Sequence, residues 1–439
     1  MMVKKVGNTA MNQHADKASK ELLVIFTRFP LPGQAKTRLI PFLGPEGAAE
    51  FQKRMTEYTI EQARLTQVPI QVRFTGGTMI QMRDWLGGDC QYVEQGNGDL
   101  GERMERAFSD GFKNGASRIV ITGCDCPDNR AQNMLDAFRL LGESPCVIGP
   151  AVDGGYYMIG LVRVQPHLFS NIEWGTNRVF RQTADKADSY KTLPVLSDVD
   201  EPQDIPAMIS VIIPALNEEK NIRRCLHSVR RGFNVEAIVV DGGSTDDTSR
   251  IAALEGAKIL ESREGRALQM NHGAENATGE LLLFLHADSE LPPDWDRHVR
   301  HVMKQPGVSL GHFRFALMGS IPGMRLVEFG TNIRSRMLGR PYGDQGFFLA
   351  REVFDRLQGY PQVPILEDLY LVKKARKLGH IRQADAPLMT SGRRWIKHGI
   401  IKTTLINQAV LIAAAFGGDL GELKKAYRNG GNPLHLLFR

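Results

Sequence analysis

The residues best placed to do chemistry are aspartates and glutamates that follow short apolar runs. Leu281–Leu285 runs into His286-Ala287-Asp288, and an earlier run ends at Asp241-Gly242-Gly243-Ser244. Ligands of open α/β sheets bind at the carboxyl ends of strands. A carboxylate such as Asp288 there can hold Mg²⁺ or Mn²⁺ against a diphosphate, because hard cations take oxygen ligands. Glu367-Asp368 is a second acidic pair, and Arg393-Arg394-Trp395 sets two cations beside an aromatic ring. In the first half, Gly33, Lys36 and Arg38 follow a strand and could cradle phosphates, although the spacing is not that of a Walker loop. Asp125 at a later strand end is a further hard-metal candidate, with Asp153 and Asp200 as acidic partners. Cys124 and Cys126 flank Asp125 without zinc-ligand company and read as small buried side chains.

Elements that could position these residues alternate along the chain. Leu22–Phe26 and Ile209–Ile213 each open a half in which helix-like stretches separate short apolar strands. That alternation implies parallel sheets covered on both faces. The polar, proline-bearing stretch 198–206 reads as the joint. The expected plan is a flexible tail at 1–20, α/β domains at 21–205 and 206–390, and a basic, partly amphipathic helical segment at 391–439.

Composition narrows the class further. The chain has 439 residues, 42% hydrophobic and 24% charged, with a net charge of +6. Eight Lys and Arg against two acids in 391–439 carry that whole excess, leaving the preceding residues neutral. No nucleic-acid motif accompanies the charge. Five sparse cysteines predict a reducing compartment. No apolar run approaches the ~20 residues of a membrane span. The expectation is a cytoplasmic protein, with peripheral contact on the inner face of the membrane as a second reading.

Taken in order, VIIPALNEE, VVDGGSTDDT, GRALQMNHGA, FLHADS, YGDQG, LED and RRW resemble the family 2 inverting glycosyltransferases of GT-A fold over about 209–395. The resemblance implies a nucleotide-sugar donor and a small-molecule acceptor. It implies Asp368 as general base oriented by Glu367, and Asp288 as metal ligand, with His286 standing where the family has its first Asp. It further places Pro214, Asn217, Glu218, Asp241, Gly243, Arg266, His286, Asp344, Gln345, Arg393, Arg394 and Trp395 about the nucleotide and sugar. PxPGxxKTRL, GxDCPD, DGGYY, WGT and DVDxPxD resemble nucleotidyltransferase-like proteins related to molybdenum-cofactor and phospholactate guanylyltransferases. That implies nucleotide contacts from Gly33, Lys36, Arg38 and Asp153, with Asp125 and Asp200 at a metal. The fusion is similar to bacterial radical-SAM-associated arsenosugar-biosynthesis families, so the implied protein is bifunctional: two tandem GT-A/Rossmann-like domains and a helical tail. A glycosyltransferase acting on a lipid at the membrane, with a non-catalytic first half, is the alternative.

Overall fold

The run Leu22–Phe26 sends Leu23 and Ile25 to one side of a sheet and Val24 to the other, because successive side chains of a strand alternate faces. All three are fully buried, so both faces of that strand are covered. In the computed structural model, which describes residues 20–319 and 323–429, this strand is β1 (Glu21–Arg28), central in a seven-stranded sheet. The expected tail at 1–20 lies almost wholly outside the described residues.

The chain divides into two units, 1–205 and 206–439. The first sheet adds β2 (Ile70–Thr75), β3 (Gln91–Glu94), β4 (Arg118–Thr122), β5 (Cys146–Pro150), β6 (Tyr156–Leu161) and β7 (Lys191–Thr192). Its order is β3-β2-β1-β4-β6-β5-β7, with β3, β2, β1 and β4 mutually parallel and β6 antiparallel to both neighbours. Because β1 and β4 are parallel neighbours, their carboxyl ends lie side by side.

The second unit repeats the plan with eight strands: β8 (Ile209–Ala215), β9 (Val235–Asp241), β10 (Lys258–Glu261), β11 (Leu281–Phe284), β12 (Ser289–Glu290), β13 (Val308–Leu317), β14 (Phe347–Ala350) and β15 (His380–Thr390). Their order is β10-β9-β8-β11-β14-β13-β15-β12, parallel through β11, with β14 antiparallel to both β11 and β13. Val211 and Ile213 enter one buried cluster and Ile212 the other. The fold is thus mixed α/β with two mostly parallel sheets. The tail is helical, as Arg393–His398, Ile400–Ala415 and Leu420–Asn429. The Ile400–Ala415 helix departs from the amphipathic expectation: Lys402 is its one charge and apolar residues occur all round it.

Gly311 in β13 lies opposite Phe348 in β14, and a Cβ there would stand 1.9 Å from the Phe348 ring. That ring is fully buried, so it has nowhere to retreat. Gly311→Ala is expected to destabilise the chain by about 1–3 kcal/mol, the usual range for overpacking. A lowered denaturant midpoint in chemical unfolding checks this.

Candidate functional site

In the second unit, β8 and β9 are stapled at their carboxyl ends by Gln269, whose Nε2 donates to Ala215 O (3.0 Å) and Val240 O (2.8 Å). Sequence reading missed Gln269; only its place in GRALQMNHGA hinted at it. The chain then turns through Asn217, left-handed at φ 55°, whose Oδ1 accepts from Thr245 N–H (2.9 Å). Asp241, 8% exposed, accepts from the backbone N–H and the hydroxyl of Ser244. The two loops are therefore tied together by their own polar groups. Gly243 is also left-handed, and no atom lies within 4 Å of where its Cβ would be, leaving an open approach to the backbone. Pro214 lies within β8, part-buried beside these turns.

One guanidinium links the next carboxylates. Arg393 Nη2 donates to Glu218 Oε1 (2.8 Å) and Asp288 Oδ2 (2.9 Å), joining residues far apart in sequence. Asn221 donates to the other Glu218 oxygen at 2.7 Å. His286 and Asp368 meet at Gly343, where a Cβ would be 3.4 Å from Asp368 Oδ2 and 3.6 Å from His286 Nε2. Burial pushes the His286 imidazole down to about 4, with Arg266 adding and Asp288 opposing, so the ring is neutral at pH 7. It is half-buried at the site, not in the core.

Asp368 lies in the first turn of the Glu367–Ala375 helix, where carboxylates are favoured. Its Oδ2 accepts from Gly343 N–H (2.8 Å) and its Oδ1 from Leu369 N–H (2.7 Å). The preceding Leu366 is left-handed at φ 69°, a strained conformation for a bulky residue. Glu367 is 6% exposed and lies 3.6 Å from Arg266; burial raises its pKa, Arg266 opposes and Asp368 adds. Asp344 is held up to about 6, chiefly by burial, with Arg334 opposing and Asp368 adding. Its Oδ1 and the Nη2 of Arg334 are both buried without a hydrogen-bond partner, and the Arg334 guanidinium lies 3.7 Å from the centre of the Tyr342 ring.

Two expected contacts fall elsewhere. Gln345 is fully buried: it donates to Phe313 O (3.2 Å) and accepts from Ser335 Oγ (2.8 Å) and Tyr342 N–H (3.2 Å). It shapes the loop from within and does not face a ligand. Trp395, part-buried, packs against the cluster of Phe315, Leu317 and Met324, so its ring is engaged with apolar neighbours and not wholly open to a sugar. The Arg394 side chain lies outside the described residues.

In the first unit a cavity of about 600 Å³ opens at the carboxyl ends of β1 and β4. Its lining includes Arg28, Lys36, Arg38, Arg103, Asp125, Asp153, Trp174 and Asp200. That volume is within the range of small-molecule sites. Lys36, left-handed at φ 45°, donates to Val199 O (2.6 Å) and contacts Asp200 Oδ1 (3.1 Å) and Asp125 Oδ1 (2.9 Å). Burial lowers its pKa, but the two carboxylates outweigh it and the net shift is upward. An ammonium has three donors, and all three are engaged. Lys36 thus clamps two acidic loops and is not turned to a phosphate, and a metal shared by Asp125 and Asp200 does not fit around it. Arg38 pairs with the second Asp200 oxygen (2.9 Å) but is 66% exposed at the cavity. Gly33 forms a left-handed turn and does not line the cavity. Asp153 accepts from Gly155 N–H (2.8 Å) at the mouth. Cys124 and Cys126 are buried, their thiols directed to Phe26 O (3.6 Å) and Ser197 O (3.0 Å). Among the described residues no group of three or more His, Cys, Asp or Glu is placed to hold a metal.

Two measurements follow from this electrostatics. A carboxyl whose folded pKa is above its unfolded value binds its proton more tightly when folded, so its contribution is present below about pH 4 and is lost as pH rises through about 6. Asp344→Asn should therefore stabilise the chain by about 2 kcal/mol at pH 8 and make no difference near pH 4, read from paired unfolding curves. Lys36→Met leaves Asp125 and Asp200 facing each other. Because both are partly solvated, a loss of about 1–3 kcal/mol is expected in the same assay, below the cost of breaking a fully buried pair.

Residues 59–176 match a family described as uncharacterized proteins conserved in bacteria (DUF2064), and residues 210–356 match Glycosyl transferase family 2. Glycosyltransferase AglE of Haloferax volcanii is 34% identical over 113 residues, 23% of this chain and 37% of that one. A PGL/p-HBAD biosynthesis glycosyltransferase of Mycobacterium bovis is 41% identical over 93 residues, 19% of this chain and 36% of that one. The chain spans about a third of the length of the curated relatives it matches. A solved structure from Desulfovibrio desulfuricans, described as a nucleotide-diphospho-sugar transferase, is 30% identical with a TM-score of 0.41, covering 43% of this chain and 85% of that one. Each unit of the chain thus carries its own family match, DUF2064 in the first and Glycosyl transferase family 2 in the second.

Proposed function

We propose that the chain is a bifunctional transferase whose second unit moves a sugar, with inversion, from a nucleotide-sugar donor to a small hydroxylated acceptor. The observation that carries this reading is the meeting of Asp368 and His286 at Gly343, beside the Asp288 strand end. The family 2 match over 210–356 agrees with it. Asp241 and Asn217, in the two turns that are bonded to each other, are the residues a nucleoside would meet. The unpartnered Asp344 Oδ1 and Arg334 Nη2 are an acceptor and a donor awaiting hydroxyl partners.

In the reaction Asp368 takes the proton of the acceptor hydroxyl. The oxygen so released forms its bond to the anomeric carbon from the face opposite the diphosphate, and the carbon–oxygen bond to the diphosphate breaks. Glu367, tied to Arg266, orients the helix start that carries the base. Arg393 is 55% exposed and can exchange a carboxylate partner for a phosphate oxygen as negative charge builds on the leaving group. Asp288 would be the residue to hold a divalent ion, with phosphate oxygens completing its shell, once the half-exposed Arg393 gave up that carboxylate. When bound it would supply neutralisation of the diphosphate.

The first unit, in this proposal, binds a nucleoside phosphate in its cavity, with Arg28, Arg38 and Arg103 as the cations available to phosphate. An arsenosugar-type acceptor belongs to the same proposal. All five cysteines are buried and free, so an arsenical would be recognised through its hydroxyls and not by thiolates.

Asp368→Asn is the direct test. With the donor identified from a panel of nucleotide sugars by diphosphate release, kcat should fall by about 10²–10⁴-fold with little change in donor KM. Product formation within a few-fold of the unsubstituted chain would remove Asp368 from the role of base.

A further inference from the structure

The Met324–Leu338 helix is divided lengthwise into a packed side and a bare one. On the packed side, Glu328 accepts from Leu317 N–H (2.8 Å), Asn332 exchanges hydrogen bonds with Phe315 (2.8 and 2.9 Å), and Ser335 donates to Gln345 (2.8 Å). At about 100° per residue, Arg325, Leu326, Phe329, Ile333 and Arg336 all fall on the opposite side, in a stripe roughly a quarter-turn wide. Leu326 is 76% exposed, Phe329 63% and Ile333 41%. Such a contiguous apolar stripe marks a surface that meets something.

Charge decides what that is. The helix has one acid, Glu328, and it is bonded inward; the exposed side carries Arg325 and Arg336 only. A second copy of the chain laid on this face would bring arginine against arginine, which repels. A layer of anionic headgroups would accept both guanidinium groups while the apolar side chains enter the acyl boundary beneath.

The neighbouring Ile400–Ala415 helix extends the pattern. Its Ile400 lies beside Gly323, at the foot of the first helix. Along it Leu405 is 63% and Ile412 46% exposed, and Phe416 just beyond is 80% exposed. A helix apolar on every side is ordinarily buried all round; here Ile406, Ala409, Val410 and Ala413 are buried, while Leu405 and Ile412 on the remaining side are not. Among the described residues no helix is long and apolar enough to cross a membrane, so contact with a bilayer would be at its surface.

We infer that the exposed face of the Met324–Leu338 helix, continued by the Ile400–Ala415 helix, docks the second unit on an anionic lipid bilayer. The inward side of the same helix carries Arg334 and Ser335 beside Tyr342 and Gln345, so docking would hold the acceptor side of the site near the lipid. The docking itself does not depend on the catalytic reading.

Sedimentation of the full chain with vesicles tests it. The chain should pellet with phosphatidylglycerol/phosphatidylcholine vesicles, stay in solution with phosphatidylcholine alone, and be released by high salt. Leu326→Ser with Phe329→Ser, and separately Arg325→Gln with Arg336→Gln, should each weaken the pelleting by tenfold or more while circular dichroism stays unchanged. Asp368→Asn should pellet normally, which separates docking from catalysis. The inference is overturned if the chain ignores anionic vesicles or if both double variants pellet like the parent. It is equally overturned if light scattering shows a dimer that the Leu326/Phe329 substitutions dissociate, since the face would then belong to a second copy.

Discussion

Gathering carboxylates at the open ends of parallel strands is the constraint on which both halves of this chain depend. Two like charges 4 Å apart repel by about 4 kcal/mol at the effective dielectric of a protein surface. Each unit meets that repulsion by threading a cation between acids. Arg393 spans Glu218 and Asp288, and Lys36 spans Asp125 and Asp200. The acids differ in how far they are spared. Asp368 is held by backbone N–H groups, whereas Asp344 has a buried oxygen with no partner and is pushed toward protonation. Two neighbouring carboxyls in such different surroundings are suited to different tasks.

The backbone is bent to make these placements. Lys36, Asn217 and Leu366 are all left-handed without being glycine, and each stands within or next to a cluster described above. Strain of that kind costs of order 1–3 kcal/mol per residue and persists only where its surroundings fix it. At Asn217 the fixing is by the Ser244–Thr245 loop. At Lys36 it is by three oxygen acceptors, and at Leu366 by the helix that begins at Glu367. The regular sheets supply the rigidity and the turns supply the aim.

Much of this was legible in the sequence, for physical reasons. β-branched and leucine runs report strands buried on both faces, so β1, β4, β8, β9 and β11 could be read directly, and with them the aspartates at their ends. Less was legible beyond Asp288. β15 contains Arg382, Asp385 and Pro387 and pairs with β13 across register shifts, so neither shows a clean strand pattern. The roles of Lys36, Gln345 and Trp395 were not legible either, because a motif names a residue type without the direction of its side chain. Gln269 joins two strand ends by hydrogen bonds that no spacing rule announces. The exposed stripe on the Met324–Leu338 helix needed the inward bonds of Glu328 and Asn332 to show which side was bare.

The central claim is a single displacement at the anomeric carbon, driven by one carboxylate base on the acceptor side and charge neutralisation on the diphosphate side. The anomeric configuration of the first-formed product, read by proton NMR during turnover of a donor of known configuration, tests it most directly. The account predicts a product of opposite anomeric configuration to the donor from the first turnover. A product that keeps the donor's configuration would contradict it.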